Sequence, residues 1–264
     1  EADYARYDLM PVLNSLPDAE AWAAFARAHD AAPQAILQLD TGMCRLGLTS
    51  AEVEALAEDP DRLAGIRPAY VMSHLACADE PEHPQNAEQH RRLRAALFRL
   101  APPFAGAPVS FANSSGIFLG PEWHYDLARP GYALWGGNPT PGRPNPMRDV
   151  VRLEGRILQV RDIDRRESVG YGATATVEPG SRLATVAVGY ADGWLRSLGA
   201  RGSALVSGIP APLVGRVSMD LIVLDVTEVP PGEAEPGAAV TLLGPGRDID
   251  TVAAEAGTIG YEML

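Results

Sequence analysis

The sequence predicts an α/β fold in which part of an α/β barrel is followed by an all-β domain. Over residues 1–137, apolar strand-like runs alternate with helical segments, and a polar loop follows each strand. This is the order of βα units in a parallel sheet. Residues 138–149 are rich in Pro, Gly and Asn and read as a linker. Residues 150–264 carry short apolar runs, separated by Pro and Gly, that predict an antiparallel β domain.

The first domain is expected to contain three helices among its strands. The predicted elements are a helix over 18–32, a strand over 34–40, a helix opened at Thr49, a strand over 67–75, a helix from Pro84 to about Leu100, and strand regions over 108–113 and 125–136. Thr49 and Glu52 have the spacing of a capping box, and Pro84 suits the first turn of a helix. A complete (β/α)8 barrel takes roughly 250 residues. The residues before the linker therefore suffice for only part of one.

The second domain is predicted from runs in which apolar and polar residues alternate with the period of a half-buried strand. The predicted strands lie around 151–157 and over 183–190, 203–208, 217–226 and 238–244. One short helix is expected near Asp250–Ala256, close to the end of the domain.

Composition excludes several classes of function. The net charge of -12 would repel nucleic acids and anionic membrane surfaces, so neither is an expected partner. Neither cysteine belongs to a CxxC motif, which favours a reducing, cytoplasmic setting. No run has the length of a membrane span or the pattern of a signal peptide. All 22 basic residues are arginine, so no lysine-based chemistry is open to this chain.

Unusual polar residues follow the predicted strands, where parallel α/β folds place their active sites. In the first domain these are Asp40–Arg45, His74, Asn113–Ser114 and Arg129. The β domain adds Tyr171, Tyr190, Arg216–Asp220 and Tyr261. These residues are the candidates for binding and catalysis.

Each candidate also has a plainer structural interpretation. Arg45 could cap a helix or pair with a surface carboxylate, and His74 could be a hydrogen-bonded core residue. Asn113–Ser114 could form an ordinary turn and helix cap, and Arg129 could brace a turn. The tyrosines could be packed aromatics. No metal is expected, because the run of His and acidic residues over 74–83 fits no common ligand spacing.

Eight motifs, taken in order, resemble those of the alanine racemases. They are DTGMCRLG, SHLACADE, ANSSG, ARPGYALWG, VGYGATAT, GYADGW, GRVSMD and TIGYE. The resemblance spans about residues 9 to 264. It implies a barrel that binds pyridoxal 5'-phosphate, followed by a β domain, in a head-to-tail homodimer with shared active sites. It also implies interconversion of L- and D-alanine, which supplies D-alanine for peptidoglycan.

The resemblance assigns cofactor contacts to particular positions. The residues that match the family's cofactor contacts are Asn113, Ser114, Gly131, Tyr132, Tyr261 and Arg129. Ser114, the backbone of Gly131 and Tyr132, and the Tyr261 hydroxyl would face the phosphate. Arg129 would face the pyridine nitrogen, with His74 in a supporting network.

The resemblance also implies a two-base mechanism. Tyr171 matches the proton-accepting tyrosine, which acts in the neighbouring subunit, and His74 and Arg129 would support it. Arg45 and the Met219 backbone match contacts to the substrate carboxylate. The residues expected to line the entrance are Tyr190, Tyr261, Arg196, Arg216, Asp79 and Asp220.

The chain departs from the family pattern in having no lysine to hold the cofactor and act as the second base. We therefore expect an N-terminally truncated fragment that is inactive alone. Two alternatives stay open: a racemase of broader specificity with the same fold, and a non-catalytic partner subunit that lends Tyr171 to a complete one. An unrelated barrel hydrolase would need a nucleophile–base or carboxylate pair, and the sequence offers no convincing one.

Overall fold

The computed structural model describes residues 2–29 and 32–264, which divide into two compact units. The first unit comprises the described residues up to Gly131 together with Pro139–Pro144. The second comprises Tyr132–Asn138 and Asn145–Leu264. Among the described helices, none has both the length and the apolar character needed to cross a membrane.

The first unit alternates strands and helices, as predicted. Its elements are α1 (Ala2–Arg6), β1 (Val12–Leu13), α2 (Leu16–Ala28), β2 (Gln34–Gln38), α3 (Ser50–Glu58), β3 (Arg67–Met72), α4 (Pro84–Arg99) and β4 (Val109–Ser110). The strands pair in the order β1-β2-β3-β4, and every pair is parallel. The predicted class, an α/β fold with a partial barrel, is confirmed for this unit.

Side chains fix the starts of the three longer helices. Ser15 Oγ accepts a hydrogen bond from the Asp18 amide at the start of α2. Thr49 and Glu52 form the predicted capping box of α3. Pro84 opens α4 as expected, and His83 caps it by accepting from the Gln85 amide over 3.1 Å. These caps satisfy amides that no helical carbonyl reaches.

The core of the first unit lies between the sheet and the inner faces of its helices. Leu37, Val71 and Phe111 come from the sheet region, and Trp22 and Leu93 come from α2 and α4; all are buried. Burying one such side chain stabilises the fold by about 1.5–3 kcal/mol. The apolar faces of the helices therefore hold the ends of the strands in place.

Three predictions for this unit need correction. The strand expected over 125–136 does not form, and β4 is shorter than the expected 108–113. A single parallel bridge joins Asn113 to Arg129. Pro130 has no N–H to continue that ladder, and Tyr132–Trp135 turn into a 3-10 helix instead. The helix predicted over 18–32 ends at Ala28; residues 30 and 31 lie outside the described residues.

The second unit is antiparallel, as predicted. Its elements are β5 (Leu153–Asp162), β6 (Glu167–Val169), β7 (Ala175–Val177), β8 (Arg182–Ala187), β9 (Ser203–Val206), β10 (Ile209–Pro212), β11 (Leu221–Asp225), β12 (Ala239–Leu243), α5 (Ile249–Ala256) and α6 (Gly260–Met263). Six strands form one sheet in the order β10-β9-β12-β5-β8-β11, and β6 pairs with β7 in a separate hairpin. The sequence prediction missed the hairpin, β10 and α6.

A buried ion pair holds α5 to the sheet of the second unit. Arg247 is buried, and its Nη1 and Nη2 each lie 2.6 Å from a carboxylate oxygen of Glu255. Nη2 also donates to the Ser203 carbonyl of β9 over 2.7 Å. Because the Arg247 charge loses water, it depends on Glu255 and on the Ser203 carbonyl for compensation.

Arg247→Met is expected to lower the free energy of unfolding by about 2 kcal/mol, because it removes the charged hydrogen bonds from Arg247 to Glu255 and to the Ser203 carbonyl. Urea unfolding followed by circular dichroism would measure the loss. Arg166→Met is the matched control, since the Arg166–Glu178 pair is exposed and should contribute less than about 1 kcal/mol. Equal losses in the two variants would contradict the assignment.

Candidate functional site

The predicted site residues fall into two groups, one in each unit. In the first unit they follow the carboxyl ends of neighbouring parallel strands. His74 comes after β3, which ends at Met72, and Asn113 comes after β4, which ends at Ser110. Because these strands are parallel, their following loops lie at one edge of the sheet. This is the edge at which the sequence predicted chemistry.

The guanidinium of Arg129 is the centre of the first group. Nη1 donates to Ser110 Oγ over 2.5 Å, and Nη2 donates to the Ser73 carbonyl over 2.8 Å. Nη2 also lies 3.3 Å from Nδ1 of His74. Arginine has only donors, so Nδ1 must be the unprotonated nitrogen of that ring. Within the described residues, Nε of Arg129 has no hydrogen-bond partner.

The electrostatics of this group favour a neutral imidazole. Burial lowers the pKa of His74 below its ordinary value, and the charges of Arg129 and Arg45 lower it further. Burial also lowers the pKa of Arg129, but a guanidinium keeps its proton in proteins. The site therefore pairs a fixed cation with a neutral, hydrogen-bond-accepting histidine.

A buried glutamine, which the sequence analysis did not identify, ties these loops to α4. Gln89 Nε2 donates to the His74 carbonyl over 2.9 Å and to Thr41 Oγ1 over 3.2 Å. Its Oε1 accepts from the Ala76 amide over 2.9 Å. Thr41 Oγ1 in turn lies 2.7 Å from Ser73 Oγ. Gln89 thus cross-links the segments that follow β2 and β3.

Asn113 and Ser114 combine structural and binding features. Asn113 Oδ1 accepts from the Gly116 amide over 2.9 Å, so Asn113, rather than Ser114, stabilises this turn. Ser114 is buried, and its Oγ accepts from the Gly131 amide over 3.0 Å. The structure therefore brings together the hydroxyl and the amide that the sequence analysis assigned to a phosphate.

Arg45 lies in a loop whose backbone is fixed by one carboxylate. Asp40 Oδ1 accepts from the amides of Gly42, Met43 and Cys44 over 2.9, 3.0 and 3.1 Å. The Arg45 side chain is exposed and makes no ion pair with any residue in the described part of the chain. It is available to a ligand carboxylate. Asp79 is exposed in the loop after β3.

In the second unit, Tyr171 lies on the turn between β6 and β7. Its side chain is 73% exposed. Gly172 has φ 76°, and an added Cβ there would lie 3.1 Å from Nη1 of Arg216. The turn therefore needs glycine both for its backbone and for the close approach of the guanidinium. The structure brings Arg216 alongside the turn that presents Tyr171.

The loop of Tyr190 packs against the loop of Met219. The Tyr190 amide donates to the Ser218 carbonyl over 3.0 Å, and the Ala191 amide donates to the Met219 carbonyl over 2.9 Å. The side chains of Tyr190 and Met219 are both exposed. Arg196 and Asp220 are also exposed in these two loop regions.

Tyr261 lies on α6 and stacks on Tyr132, with ring centroids 4.1 Å apart and an angle of 17° between the planes. The Tyr132 hydroxyl donates to Asp250 Oδ1 over 2.5 Å. The sequence analysis considered only the backbone of Tyr132 and did not include Asp250. In the residues that the structure describes, no group of three or more His, Cys, Asp or Glu side chains could hold a metal ion.

Comparison with known families gives one consistent result. Residues 1–139 match the family model described as alanine racemase, N-terminal domain, and residues 150–264 match alanine racemase, C-terminal domain. The alanine racemase of Rhodospirillum rubrum is 58% identical over 257 residues, which cover 97% of this chain and 67% of that protein. The catabolic alanine racemase of Mesorhizobium japonicum is 51% identical, covering 97% of this chain and 66% of that protein.

Solved structures give the same result for the fold. The crystal structure of alanine racemase from Bartonella henselae with covalently bound pyridoxal phosphate has a TM-score of 0.91 and 36% identity; the match covers 99% of this chain and 72% of that one. The biosynthetic enzyme of Pseudomonas aeruginosa has a TM-score of 0.87 and 35% identity, with coverage of 99% and 72%. This chain spans about two thirds of the length of the curated relatives above.

Arg129→Gln is expected to raise the pKa of His74, because removing a neighbouring cation favours the protonated ring. Arg45→Gln should raise it less, since Arg45 contributes less to the shift than Arg129 does. Nuclear magnetic resonance titration of the imidazole would measure both changes. Arg62→Gln, which breaks only the pair with Glu20, is the control. An unchanged or lower pKa of His74 in Arg129→Gln would show that Arg129 does not act on the ring.

Proposed function

The chain belongs to the alanine racemase family, a family of pyridoxal-phosphate-dependent isomerases, and from this premise we propose that the whole protein interconverts L- and D-alanine. The observation that carries the proposal is the guanidinium of Arg129, held by Ser110, Ser73 and His74 beside the ends of the strands. A half-buried cation that uses three of its five N–H donors within the protein is suited to an acceptor atom of a bound ring.

The residues present fit the cofactor. Protein acceptors engage three of the five N–H donors of Arg129, and Nε, which is among the donors left, would donate to the pyridine nitrogen. Ser114 Oγ and the Gly131 amide, already paired, would contact the phosphate together with Asn113, the Tyr132 backbone and the Tyr261 hydroxyl. When bound, pyridoxal phosphate supplies an electron sink for charge at the substrate's α-carbon. Arg129 would keep its own proton and so leave the ring nitrogen unprotonated.

Tyr171 is proposed as the base on one face of the substrate. Its exposed position on a hairpin turn suits a side chain that acts outside its own subunit. We therefore assign it to the site of the neighbouring subunit in a head-to-tail homodimer. There its hydroxyl would accept or return the α-proton, supported by the neutral His74 and the cationic Arg129 of that subunit.

Arg45 and the Met219 backbone amide are proposed to bind the substrate carboxylate. An arginine can donate two parallel hydrogen bonds to a carboxylate, and Arg45 has no competing acid among the described residues. The proposed entrance is narrowed by two tyrosines and lined by charged side chains: Tyr190, Tyr261, Arg196, Arg216, Asp79 and Asp220. Such an entrance favours a methyl side chain over larger ones. A racemase of broader specificity is the alternative.

The second base and the covalent link to the cofactor require an amine that this chain does not supply, since its sequence contains no lysine. We propose that the 264-residue chain is inactive alone and that the whole protein provides the lysine. The domain division at 1–137, 138–149 and 150–264, the cytoplasmic setting and the supply of D-alanine for peptidoglycan belong to the same proposal.

Tyr171→Phe in the whole protein is expected to lower kcat for alanine racemisation by about 10²- to 10⁴-fold, because the phenyl ring cannot accept a proton. Polarimetry, or coupled assays in both directions, would measure it. Tyr7→Phe, at another exposed tyrosine, should leave the rate unchanged. Activity of Tyr171→Phe within twofold of the unmodified protein would rule out Tyr171 as the base.

One observation favours a second candidate function: the chain has no lysine but presents an exposed Tyr171. It could serve as a partner that lends Tyr171 to a complete subunit. Mixing it with a full-length subunit carrying the Tyr-to-Phe change should then restore activity, whereas the chain with Tyr171→Phe should not. No gain at any ratio would reject the partner function. A natural intact mass well above that of the 264-residue chain would favour the racemase proposal.

A further inference from the structure

We propose that the side chain of Tyr132, held by Asp250, positions the ring of Tyr261 in the active site. This inference rests on the proposed function, because Tyr261 is assigned there to the cofactor phosphate and to the entrance. It extends that function to Tyr132 and Asp250, which would act through Tyr261 without touching substrate or cofactor by their side chains. All the contacts that carry it lie within the second unit.

The first observation is the stacked pair of rings. Tyr132 is only 6% exposed, whereas Tyr261 is 55% exposed. Their ring centroids are 4.1 Å apart and nearly parallel. One face of the accessible Tyr261 ring is therefore covered by a buried ring. Aromatic pairs of this kind contribute about 0.5–1.5 kcal/mol beyond the area they bury, enough to favour one orientation of an exposed side chain.

The second observation is that Tyr132 is itself held in place. Its hydroxyl donates to Asp250 Oδ1 over 2.5 Å, and Asp250 Oδ2 accepts from the Asn138 amide over 2.8 Å. Burial and the bond to Asp250 raise the pKa of Tyr132 far above its ordinary value. The hydroxyl therefore keeps the proton that it donates to Asp250 at neutral pH.

The third observation is that two glycines make room for the Tyr132 side chain. An added Cβ would lie 2.1 Å from Cζ of Tyr132 at Gly137 and 1.8 Å from its Oη at Gly260. Real Cβ atoms do not approach so closely, so the backbone closes on the ring at both positions. Gly260 directly precedes Tyr261. Tyr132 thus contacts the backbone that carries Tyr261 as well as its ring.

The fourth observation is the shortness of α6, the element that carries Tyr261. It has 4 residues, and a helix of that length has almost no stability of its own. The orientation of Tyr261 must therefore come from tertiary contacts. Tyr132 provides such contacts on the ring and on the preceding residue, and α5, which carries Asp250, anchors Tyr132.

The orientation of Tyr261 can be measured in the 264-residue chain, without cofactor. Tyrosines are replaced by 3-fluorotyrosine, and the ¹⁹F resonance of Tyr261 is assigned by its absence in Tyr261→Phe. Tyr132→Leu removes the stacked ring, and the Tyr261 resonance is expected to move to the position found in the unfolded chain. Tyr132→Phe and Asp250→Asn should move it partway, because the ring is present but less firmly held.

Leu224→Ala is the matched control. It opens a cavity in the core of the same unit and destabilises it, but the Tyr261 resonance should stay in place. An unmoved resonance in both Tyr132→Leu and Tyr132→Phe would overturn the proposal. If the Tyr261 resonance moves in Tyr132→Leu alone, the ring of Tyr132 positions Tyr261 without help from Asp250, and the part of the proposal that concerns Asp250 is overturned. If Tyr132→Leu does not fold, Tyr132→Phe and Asp250→Asn decide by the same measurement.

A second measurement tests, in the whole protein, whether Tyr132 affects binding of the cofactor through Tyr261. Tyr132→Leu is expected to weaken binding of pyridoxal 5'-phosphate about tenfold, while binding of pyridoxal, which has no phosphate, should change less than twofold. Equal effects on both would overturn the link to the phosphate. A whole protein that binds no cofactor and racemises nothing would refute the proposed function, whereas the ¹⁹F measurement would still decide whether Tyr132 positions Tyr261.

Discussion

The half-buried guanidinium of Arg129 is the constraint on which the first unit's site depends. A cation withdrawn from water costs several kcal/mol unless acceptors surround it. Here the acceptors are a side-chain oxygen, a backbone carbonyl and a ring nitrogen, from Ser110, Ser73 and His74. Each comes from the end of a strand or the residues just after it. The acceptors that compensate the charge of Arg129 therefore hold two neighbouring loops together. The same charge favours the neutral form of His74.

That constraint extends outward through polar groups that must themselves be satisfied. Once buried, Ser73 and Thr41 need partners for their hydroxyls; they bond to each other, and Ser73 donates to the Leu39 carbonyl. Gln89 completes the network from α4 with one side chain that reaches Thr41, His74 and Ala76. The helix that covers the sheet thus also fixes the loops at its edge.

The sequence predicted those features that depend on local or periodic patterns. The capping box at Thr49, the start of α4 at Pro84 and the α/β and all-β character of the two regions are confirmed. The prediction of a strand over 125–136 was wrong. Pro130 has no N–H to donate, so pairing stops after the single bridge between Asn113 and Arg129. Gln89 was not predicted, although it shares a helical face with Asn86 and Leu93. A polar residue on the same helical face as a core leucine is the sequence feature that would have indicated it. No local pattern links Tyr132 to Asp250, 118 positions away.

The proposed cofactor-binding group, Arg129 with His74, and the proposed base, Tyr171, differ in how exposed their side chains are. Their proposed chemistry explains the difference. Arg129 and His74, the groups proposed to keep one charge state, are half-buried and held by hydrogen bonds. Tyr171, which is proposed to give and take a proton at another molecule's α-carbon, is exposed on the turn between β6 and β7. A buried Tyr171 could not reach a second subunit. If Arg129 were fully exposed, water would compete with the cofactor's ring nitrogen for its N–H donors. This pattern of exposure supports the proposed dimer with shared active sites.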